Sequence, residues 1–294
     1  MKPLYLTYGT LISPLGIGID AHFNAFSEGE SGVKQQINSG FNNENWFLGK
    51  IESLSENRYD ELLTLAMNEL KKGKSAELLA APTTLFIVST TKANLNALPN
   101  DTFASTREII KEQTSNPNEL VIISNACISG VLAINSAAEY LEYSKYEDVI
   151  IIGIDALFDF VVYGFQSLFA LSDELCKPFD KDRKGISIGE ACGIVHLSIS
   201  KPTEFAVNYL GGACSNDANH ISGPSRTGEG LVRAISKSIE RAAISTNSID
   251  FISAHGTGTL YNDEMESIAF ERTRLNNVPL NSMKGYFGHT LGAA

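Results

Sequence analysis

Apolar residues recur with two different spacings along the first 200 residues, and this pattern predicts alternating strands and helices. Short apolar runs predict strands over residues 4–9, 84–89, 119–124, 148–153 and 190–198. Helices are predicted from the stripe Tyr59, Leu62, Leu63, Ala66, Met67 and Leu70, and over residues 106–111 and 128–143. Because residues 148–153 are almost wholly apolar, we expect this strand to lie in a parallel sheet that is covered on both faces.

The same order of elements restarts after residue 200. Strands are predicted over residues 204–210, 249–254 and 278–282, and helices over residues 228–243 and 263–273. The predicted fold class is therefore α/β, with a duplicated arrangement of two units, residues 1–200 and 201–294, although their letters show little self-similarity. The turn at 284–288 is expected to start a helix at His289, with room for about two turns at most before Ala294.

Composition narrows the functional classes. An apolar content of 43% and a charged content of 19% are typical of a globular protein. The net charge of −11 argues against nucleic-acid binding, which needs a clustered cationic face. The one tight basic group, Lys71, Lys72 and Lys74, is most simply the solvated end of a helix, although an acidic partner could use it. The N-terminal segment reads as neither a signal peptide nor a membrane span, so we expect a cytoplasmic protein without membrane association.

The four cysteines do not have the spacing of a zinc site, and no metal is predicted. Cys127 differs from the others because it lies in an Asn-Ala-Cys-Ile-Ser-Gly turn between an apolar strand and a helix. A helix N-terminus lowers the pKa of a thiol, so Cys127 is a candidate nucleophile whose own backbone N–H could stabilise an oxyanion. The alternative is a buried structural cysteine, and we expect Cys176, Cys192 and Cys214 to be inert.

Two histidines lie in glycine-rich turns, His255 in Ala-His-Gly-Thr-Gly-Thr and His289 near the chain end. Two neutral imidazoles that donate Nε2–H to one carbonyl oxygen can stabilise the enolate formed when a β-carboxylate leaves as carbon dioxide. Lys284, five residues before His289, could orient that site. Glu266 and Asp263 are candidates to pair with His255, although carboxylates early in a helix are more often capping charges.

The other histidines lack such surroundings and are predicted to be structural. His22 is expected at the surface, His196 in an apolar strand and His220 in a loop.

Together these motifs resemble the β-ketoacyl-acyl-carrier-protein synthases, the decarboxylating condensing enzymes of the thiolase superfamily, and the resemblance runs along the whole chain. Besides the Cys127, His255 and His289 motifs, it rests on Thr7-Tyr8-Gly9-Thr10, Ser13-Pro14-Leu15-Gly16, Gly164-Phe165, Ala170-Leu171-Ser172, Lys177-Pro178-Phe179-Asp180, Arg183, Gly185, Gly189 and Glu190. It implies the layered αβαβα thiolase-like fold, usually as a dimer.

The resemblance also implies roles for single residues. Cys127 would accept the acyl group, and His255 and His289 would assist malonyl decarboxylation and hold the thioester oxygen. Lys284 would support His289, and Glu266 would pair with Lys284. The predicted substrate-binding residues are Phe165, Thr257 and Thr259.

No resident cofactor is expected, because phosphopantetheine would arrive on an acyl carrier protein. That carrier is the predicted partner, together with a second copy of the chain or a related synthase subunit.

Two departures from the family pattern affect the functional prediction. The interval from Ser89-Thr90-Thr91 to Cys127 is shorter than in the fatty-acid synthases of this type, and the loss is compatible with a specialised synthase of polyketide-like or aryl-polyene assembly. The predicted pathway is therefore fatty-acid, polyketide or aryl-polyene-like synthesis. The family's glycine-rich loop with a gating phenylalanine has no counterpart before Ala294, so we expect an incomplete second half, cut from a longer synthase. The alternatives are a non-catalytic partner subunit and a degradative thiolase.

Overall fold

The computed structural model of the protein describes residues 3–202, 206–217 and 225–294. Its strands are β1 (Leu4–Ser13), β2 (Gly16–Ile17), β3 (Lys34–Gln36), β4 (Trp46–Leu48), β5 (Thr84–Ser89), β6 (Val121–Ile123), β7 (Asp148–Asp155), β8 (Ala191–Ser198), β9 (Val207–Tyr209), β10 (Ile252–Ser253) and β11 (Leu280–Asn281). Its α-helices are α1 (Gly18–Glu28), α2 (Arg58–Gly73), α3 (Ala76–Ala80), α4 (Ala104–Thr114), α5 (Ser129–Tyr143), α6 (Asp159–Ser167), α7 (Glu229–Ala242), α8 (Leu260–Arg272) and α9 (Lys284–Phe287). Single 3-10 turns lie at Leu95–Ala97, Thr246–Ser248 and Leu291–Ala293.

A mixed sheet organises the described residues. Its strand order is β2-β1-β8-β7-β5-β6, and β9 also pairs with β1. Strands β5, β6 and β7 run parallel to one another, whereas β8 is antiparallel to β7 and to β1. The carboxyl ends of the three parallel strands therefore meet at one edge of the sheet, where ligands commonly bind in α/β proteins.

The period of two along the central strands divides the core into two layers. Phe86 and Val88 of β5 point to one face and pack with apolar residues of α2. Leu85 and Ile87 point to the other face and pack against α5, whose buried side includes Ala133 and Ala137. All six residues of β5 are buried. This confirms the α/β class and the sheet covered on both faces. The expected parallel sheet is wrong in part, because β7 is parallel to β5 but antiparallel to β8.

The second unit is smaller in its regular structure than the sequence pattern predicts. β10 and β11 form a short parallel pair, with two residues each, and helices α7 and α8 pack together beside it. Of the strand predicted at 204–210, Val207–Tyr209 is observed as β9. Residues 203–205 lie outside the described ranges. The division of the chain at residue 200 stays a prediction.

The helix predicted to start at His289 is wrong in position. The helical turn α9 instead precedes His289 and ends at Phe287, and it is followed by Gly288, whose φ of 80° is accessible mainly to glycine. His289 then continues as extended backbone, because it forms a parallel bridge with Ile188. Only a 3-10 turn, Leu291–Ala293, follows.

The remaining three histidines differ in how their predicted positions compare with the structure. His22 is 2% exposed, so its predicted surface position is wrong: its ring nitrogens lie 2.7 Å from the Ser13 hydroxyl and 2.7 Å from the Gly18 carbonyl oxygen. His196 is buried in β8, and its Nε2 lies 2.7 Å from a carboxylate oxygen of Asp148. His220 lies outside the described residues.

A buried ion pair ties the sheet to helix α2. The carboxylate of Glu190 accepts hydrogen bonds from the backbone N–H groups of Ile51 at 2.8 Å and Leu157 at 2.9 Å. The Arg58 guanidinium donates to the same carboxylate, with Nε 3.0 Å from Oε2. The side chain of Glu190 is fully buried and that of Arg58 is 12% exposed. Each charge therefore depends on the other, because a lone buried ion is very unfavourable.

We expect Arg58→Met to lower the free energy of unfolding by about 3–5 kcal/mol, because it leaves the Glu190 carboxylate buried without its cation. Urea unfolding followed by circular dichroism measures this change. The matched control is Arg107→Met, which breaks an ion pair with Asp101 whose side chains are half exposed and should change stability little. Equal losses in the two variants would contradict the assigned role of Arg58.

Candidate active site

Cys127 lies in a tight connection between β6 and α5, at the edge where the parallel strands end. The buried hydroxyl of Ser129 accepts the Asn125 N–H at 2.8 Å and donates to the Ala126 carbonyl oxygen at 2.7 Å. Ala126 has a φ of 47°, a left-handed conformation that costs energy for a residue with a side chain. These bonds fix the turn, so the direction of the Cys127 side chain is set by the backbone on both sides.

His255 lies in the loop between β10 and α8, and two carboxylates of α8 hold that loop. Glu266 accepts the backbone N–H groups of His255 at 2.8 Å and Gly256 at 2.7 Å. Asp263 accepts the N–H of Thr257 at 3.0 Å and that of Gly258 at 3.2 Å. Both carboxylates are buried and bind backbone, which corrects the expectation that they pair with the His255 imidazole. They do not cap α8 either, the alternative weighed from the sequence, because the N–H groups they accept belong to the loop before the helix, whose N-cap residue Thr259 makes no side-chain cap hydrogen bond.

Lys284 supports the same loop from α9. Its Nζ donates to the carbonyl oxygen of His255, and the Ser282 hydroxyl donates to that of Gly256 at 2.7 Å. The negative charge of Glu266 acts on Lys284 through space, as the family resemblance implies, but none of the described ion pairs joins the two side chains directly. The reason is that Glu266 already accepts two backbone N–H groups and the Asn262 amide at 2.9 Å.

His289 is held by its backbone against the segment that leads into β8. Its N–H donates to the carbonyl oxygen of Ser187 at 2.7 Å, and its own carbonyl oxygen accepts the Gly189 N–H at 2.9 Å. Just before it, the carbonyl oxygen of Phe287 lies between Gly49 and Gly189. A Cβ at these two glycines would come within 2.2 Å and 2.1 Å of that oxygen, respectively, so neither position has room for a side chain.

The hydrogen bonding of His289 fixes its tautomer. The backbone N–H of Leu291 donates to Nδ1 at 3.3 Å, so Nδ1 acts as an acceptor and the proton of the neutral ring is on Nε2. Nε2 is buried and has no hydrogen-bond partner among the described residues. A buried donor without a partner is costly, and one that is directed into a site is suited to a ligand carbonyl.

These elements bring the three reactive groups together. One ligand-type atom each of Cys127, His255 and His289 lies within 4.8 Å of the other two. The two imidazole rings have centroids 5.1 Å apart and meet nearly edge to face, at 85°. Cys and His are also zinc ligands, so the expectation of a metal-free site stays a prediction.

Burial determines the charge state of the cluster. It lowers the pKa of His255 to about 3, with the Lys284 cation adding to the effect, and it lowers the pKa of His289 well below its ordinary value. Burial also raises the pKa of the Cys127 thiol, although the Lys284 and Lys92 cations oppose the rise. The expectation of a lowered thiol pKa is therefore wrong in direction, because the loss of hydration outweighs the nearby positive charge. At neutral pH the cluster contains a thiol and two neutral imidazoles.

The remaining predicted residues lie around this cluster. Thr257 and Thr259 have hydroxyl oxygens 2.8 Å apart. Phe165 is part-buried and packs in an apolar cluster that also contains Leu291, two residues after His289. Substrate binding by these three residues stays a prediction.

The other cysteines differ in exposure. Cys176 is buried, its Sγ lies 3.2 Å from the Thr257 carbonyl oxygen, and burial raises its pKa to about 11. Cys192 is also buried, whereas Cys214 is exposed.

Sequence reasoning missed Lys92 and Asp155. Lys92 follows β5 and donates to the Thr91 hydroxyl, and its positive charge acts on both Cys127 and His289. Asp155 is the last residue of β7 and is 1% exposed. The available signal was that both follow or end neighbouring parallel strands, whose carboxyl ends meet at one sheet edge.

Comparisons with known proteins agree with this arrangement. The family models described as Beta-ketoacyl synthase, N-terminal domain, and Beta-ketoacyl synthase, C-terminal domain, match residues 119–201 and 207–294, together more than half of the chain. The 3-oxoacyl-[acyl-carrier-protein] synthase 2 of Rhizobium meliloti strain 1021 is 31% identical over an alignment of 201 residues. The alignment covers 63% of this chain and 47% of the relative. The match thus spans about half the length of that curated relative.

Solved structures show the same fold over the whole chain. A chain of the complex between the ketosynthase ApeO and its chain length factor ApeC from Xenorhabdus doucetiae superposes with a TM-score of 0.89 at 27% identity, covering 100% of this chain and 81% of that chain. A chain of the complex between a type II PKS acyl carrier protein and its ketosynthase superposes with a TM-score of 0.83 at 21% identity, covering 99% of this chain and 83% of that chain. At this identity the similarity supports the fold alone.

The fold is thus the thiolase-like fold of the ketosynthases, as the sequence motifs imply. The chain belongs to the β-ketoacyl synthase family. None of the helices in the described part of the chain has the length and apolarity needed to cross a membrane.

The lowered histidine pKa values predict a loss of stability in acid. An unfolded histidine has a pKa of about 6.5, so below that pH the unfolded chain binds a proton that folded His255, with its pKa of about 3, does not. The free energy of unfolding therefore falls as the pH drops below about 6.5. We expect His255→Asn to lose less stability than the wild type between about pH 7 and about pH 5, measured by urea unfolding at both values. Identical losses would contradict the buried neutral state of His255.

Proposed function

We propose that the protein is a β-ketoacyl-acyl-carrier-protein synthase that catalyses decarboxylative Claisen condensation. The observation that carries the proposal is the convergence of Cys127, His255 and His289 within 4.8 Å, with Nε2 of His289 buried and without a hydrogen-bond partner in the part of the chain that the structure describes. A nucleophile and two neutral N–H donors around one small space are the groups that acyl transfer and enolate formation require.

In the first half-reaction, the Cys127 sulfur attacks the carbonyl carbon of an acyl thioester. The carbon-sulfur bond to the carrier breaks, and the proton of the Cys127 thiol passes to the departing carrier thiolate. The thiol is protonated at rest, since burial raises its pKa, so it must lose its proton as the sulfur attacks. The product is an acyl-Cys127 thioester and a free carrier thiol.

In the second half-reaction, a malonyl thioester occupies the space beside the two imidazoles. Breaking its bond to the carboxylate releases carbon dioxide and leaves the electron pair as an enolate, whose oxygen accepts N–H hydrogen bonds from His255 and His289. The enolate carbon attacks the acyl carbonyl, and the bond to Cys127 breaks to give a β-ketoacyl thioester. The Cys127 thiolate then takes up one proton, which balances the decarboxylation.

The neutral state of both rings suits this role. A protonated imidazole near the malonyl carboxylate would stabilise that anion before it leaves, whereas a neutral N–H donor interacts most strongly once charge has moved to the enolate oxygen. Burial and the Lys284 charge both keep the proton off His255. Lys284 also fixes the His255 backbone, so it is assigned as a positioning residue.

The proposed partner is an acyl carrier protein whose phosphopantetheine arm delivers both thioesters, and no cofactor is assigned to the protein itself. The similarity to a chain from a ketosynthase complex with its chain length factor supports pairing with a related subunit, or with a second copy of this chain. The acyl group would belong to fatty-acid, polyketide or aryl-polyene-like synthesis, in the cytoplasm.

A non-catalytic partner subunit is the second candidate, because the matched structure comes from a complex of two related chains of which one is a chain length factor. The presence of Cys127 beside both histidines argues for the catalytic subunit. A degradative thiolase would instead cleave acetoacetyl-CoA without decarboxylation, and we propose no such activity.

We expect Cys127 to be acylated when the protein is mixed with an acyl-carrier thioester. Mass spectrometry of the intact protein should show one added acyl group, and peptide mapping should locate it at Cys127. The variant Cys127→Ala should remain unmodified, whereas the control Cys214→Ala, which removes an exposed cysteine, should be modified like the wild type. Equal modification of Cys127→Ala and the wild type would remove the proposal.

We expect His289→Ala to slow release of labelled carbon dioxide from malonyl-carrier protein by about 10²–10³-fold, because one of two enolate donors is lost. Acylation of Cys127 should decrease much less, since it does not require the enolate. A wild-type protein that takes up no acyl group and releases no carbon dioxide would instead favour the partner subunit. Loss of acylation and decarboxylation to the same extent would contradict a specific role in enolate formation.

A further inference from the structure

Residues 291–294 lie in a narrow slot at the carboxyl edge of the sheet, between the ends of β5 and β7. A Cβ on Gly292 would come within 2.7 Å of the Thr90 Cα atom, and one on Gly153 within 3.1 Å of the Ala293 Cα atom. Backbone therefore meets backbone on both sides of this segment. Such close approach is compatible only with glycine and fixes the path of the chain.

Asp155 holds this segment from β7. Its carboxylate accepts the Gly292 N–H at 2.7 Å, the Thr91 N–H at 2.9 Å and the Thr91 hydroxyl at 2.9 Å, and the Thr90 hydroxyl at 3.1 Å. Three of these four donors reach Oδ2, so the acceptor capacity of this oxygen is fully used within the protein. Asp155 is thus a fixed structural acceptor rather than a free acid.

The carbonyl oxygen of Gly292 is held as well as its N–H. The Ser89 hydroxyl at the end of β5 donates to the Gly292 carbonyl oxygen at 2.8 Å. Side chains from two neighbouring strands therefore bind the N–H and the C=O of Gly292. The Gly292 backbone cannot rotate without losing a buried hydrogen bond.

This fixed point is adjacent to the group that sets the His289 tautomer. The amides of Leu291 and Gly292 are consecutive: the Gly292 N–H donates to Asp155, and the Leu291 N–H donates to Nδ1 of His289. The direction of one amide limits that of the next, because only two backbone dihedrals separate them. Asp155 is thereby linked to the ring through one residue of backbone.

We propose that Asp155 is a positioning residue that, through Gly292 and the Leu291 N–H, keeps the proton of neutral His289 on Nε2 and directs that N–H into the site. Ser89 assists from the opposite side of Gly292. The catalytic consequence rests on the proposed condensing function, whereas the effect on the His289 tautomer does not. Asp155 itself does not touch the reacting atoms in this assignment.

The variant Asp155→Asn distinguishes the hydrogen-bonding role of the carboxylate from the space that the side chain fills. The asparagine side chain has nearly the same shape, but its neutral amide oxygen in the place of Oδ2 is a weaker acceptor for the Gly292 N–H than the charged carboxylate, and its amide nitrogen donates where Oδ1 accepts the Thr90 hydroxyl. We expect the turnover number for malonyl decarboxylation to fall by about 10- to 100-fold with the KM for malonyl-carrier protein changed less than about 3-fold, because a displaced donor affects the transition state more than binding. The rate of Cys127 alkylation by iodoacetamide should stay within about 3-fold of the wild-type rate.

The tautomer provides a readout that needs no substrate. Nitrogen-15 spectra of the histidine side chains should show His289 as the Nε2–H form in the wild type and a mixture of tautomers in Asp155→Asn. The matched control is Asp148→Asn at the opposite end of β7, where the carboxylate faces His196. It should leave both the His289 signals and decarboxylation unchanged. The thermal midpoint of each variant shows whether folding is retained.

The outcomes distinguish the two proposals. A wild type without decarboxylation would overturn the proposed function, and the His289 spectra would still decide the role of Asp155. Unchanged His289 signals and turnover in folded Asp155→Asn would overturn the positioning role. If Asp155→Asn does not fold, Ser89→Ala tests the same link: a weaker change in the same direction supports the role, and wild-type spectra and turnover overturn it.

Discussion

The site depends on the removal of two imidazoles from water. A histidine at the surface is partly protonated near neutral pH, whereas burial holds His255 and His289 neutral. The same burial raises the pKa of the Cys127 thiol. The three reactive side chains are therefore uncharged at rest, and the reactive thiolate and the enolate would exist only while an acyl group or a malonyl group fills the space. Exclusion of water thus governs both halves of the proposed chemistry.

Charged side chains around the site act mainly on backbone. Glu266 and Asp263 bind loop N–H groups, and Lys284 binds the carbonyl oxygen of His255. This arrangement stiffens the loop that carries the imidazole without placing a carboxylate against the ring. A carboxylate in contact with His255 would raise the pKa of the imidazole and favour its protonation. Binding the backbone provides rigidity and leaves the ring neutral.

The sequence predicted local features well and long-range ones poorly. The strand at 84–89 and the turn that carries Cys127 follow from local apolar runs and small residues, and both are found. Burial of His22 and the raised pKa of Cys127 were missed, because each depends on segments that pack from elsewhere in the fold. Asp155 was missed for the same reason: its partner Gly292 is 137 residues away. Spacing along a helix shows which face a carboxylate is on, but not which donors reach it.

The carbonyl oxygen of Phe287, just before His289, fits between Gly49 and Gly189, which belong to the part of the chain that carries Cys127. Residues 49 and 189 are synthesised long before residue 287, and the groove they form remains empty until that later segment arrives. During ribosomal synthesis a nascent chain can thus form most of the sheet while its cysteine still lacks both rings. The cluster of Cys127, His255 and His289 is complete only when residues 284–292 are in place, because they carry His289 and also Lys284, which binds the His255 backbone. A polypeptide that ends before them cannot assemble it.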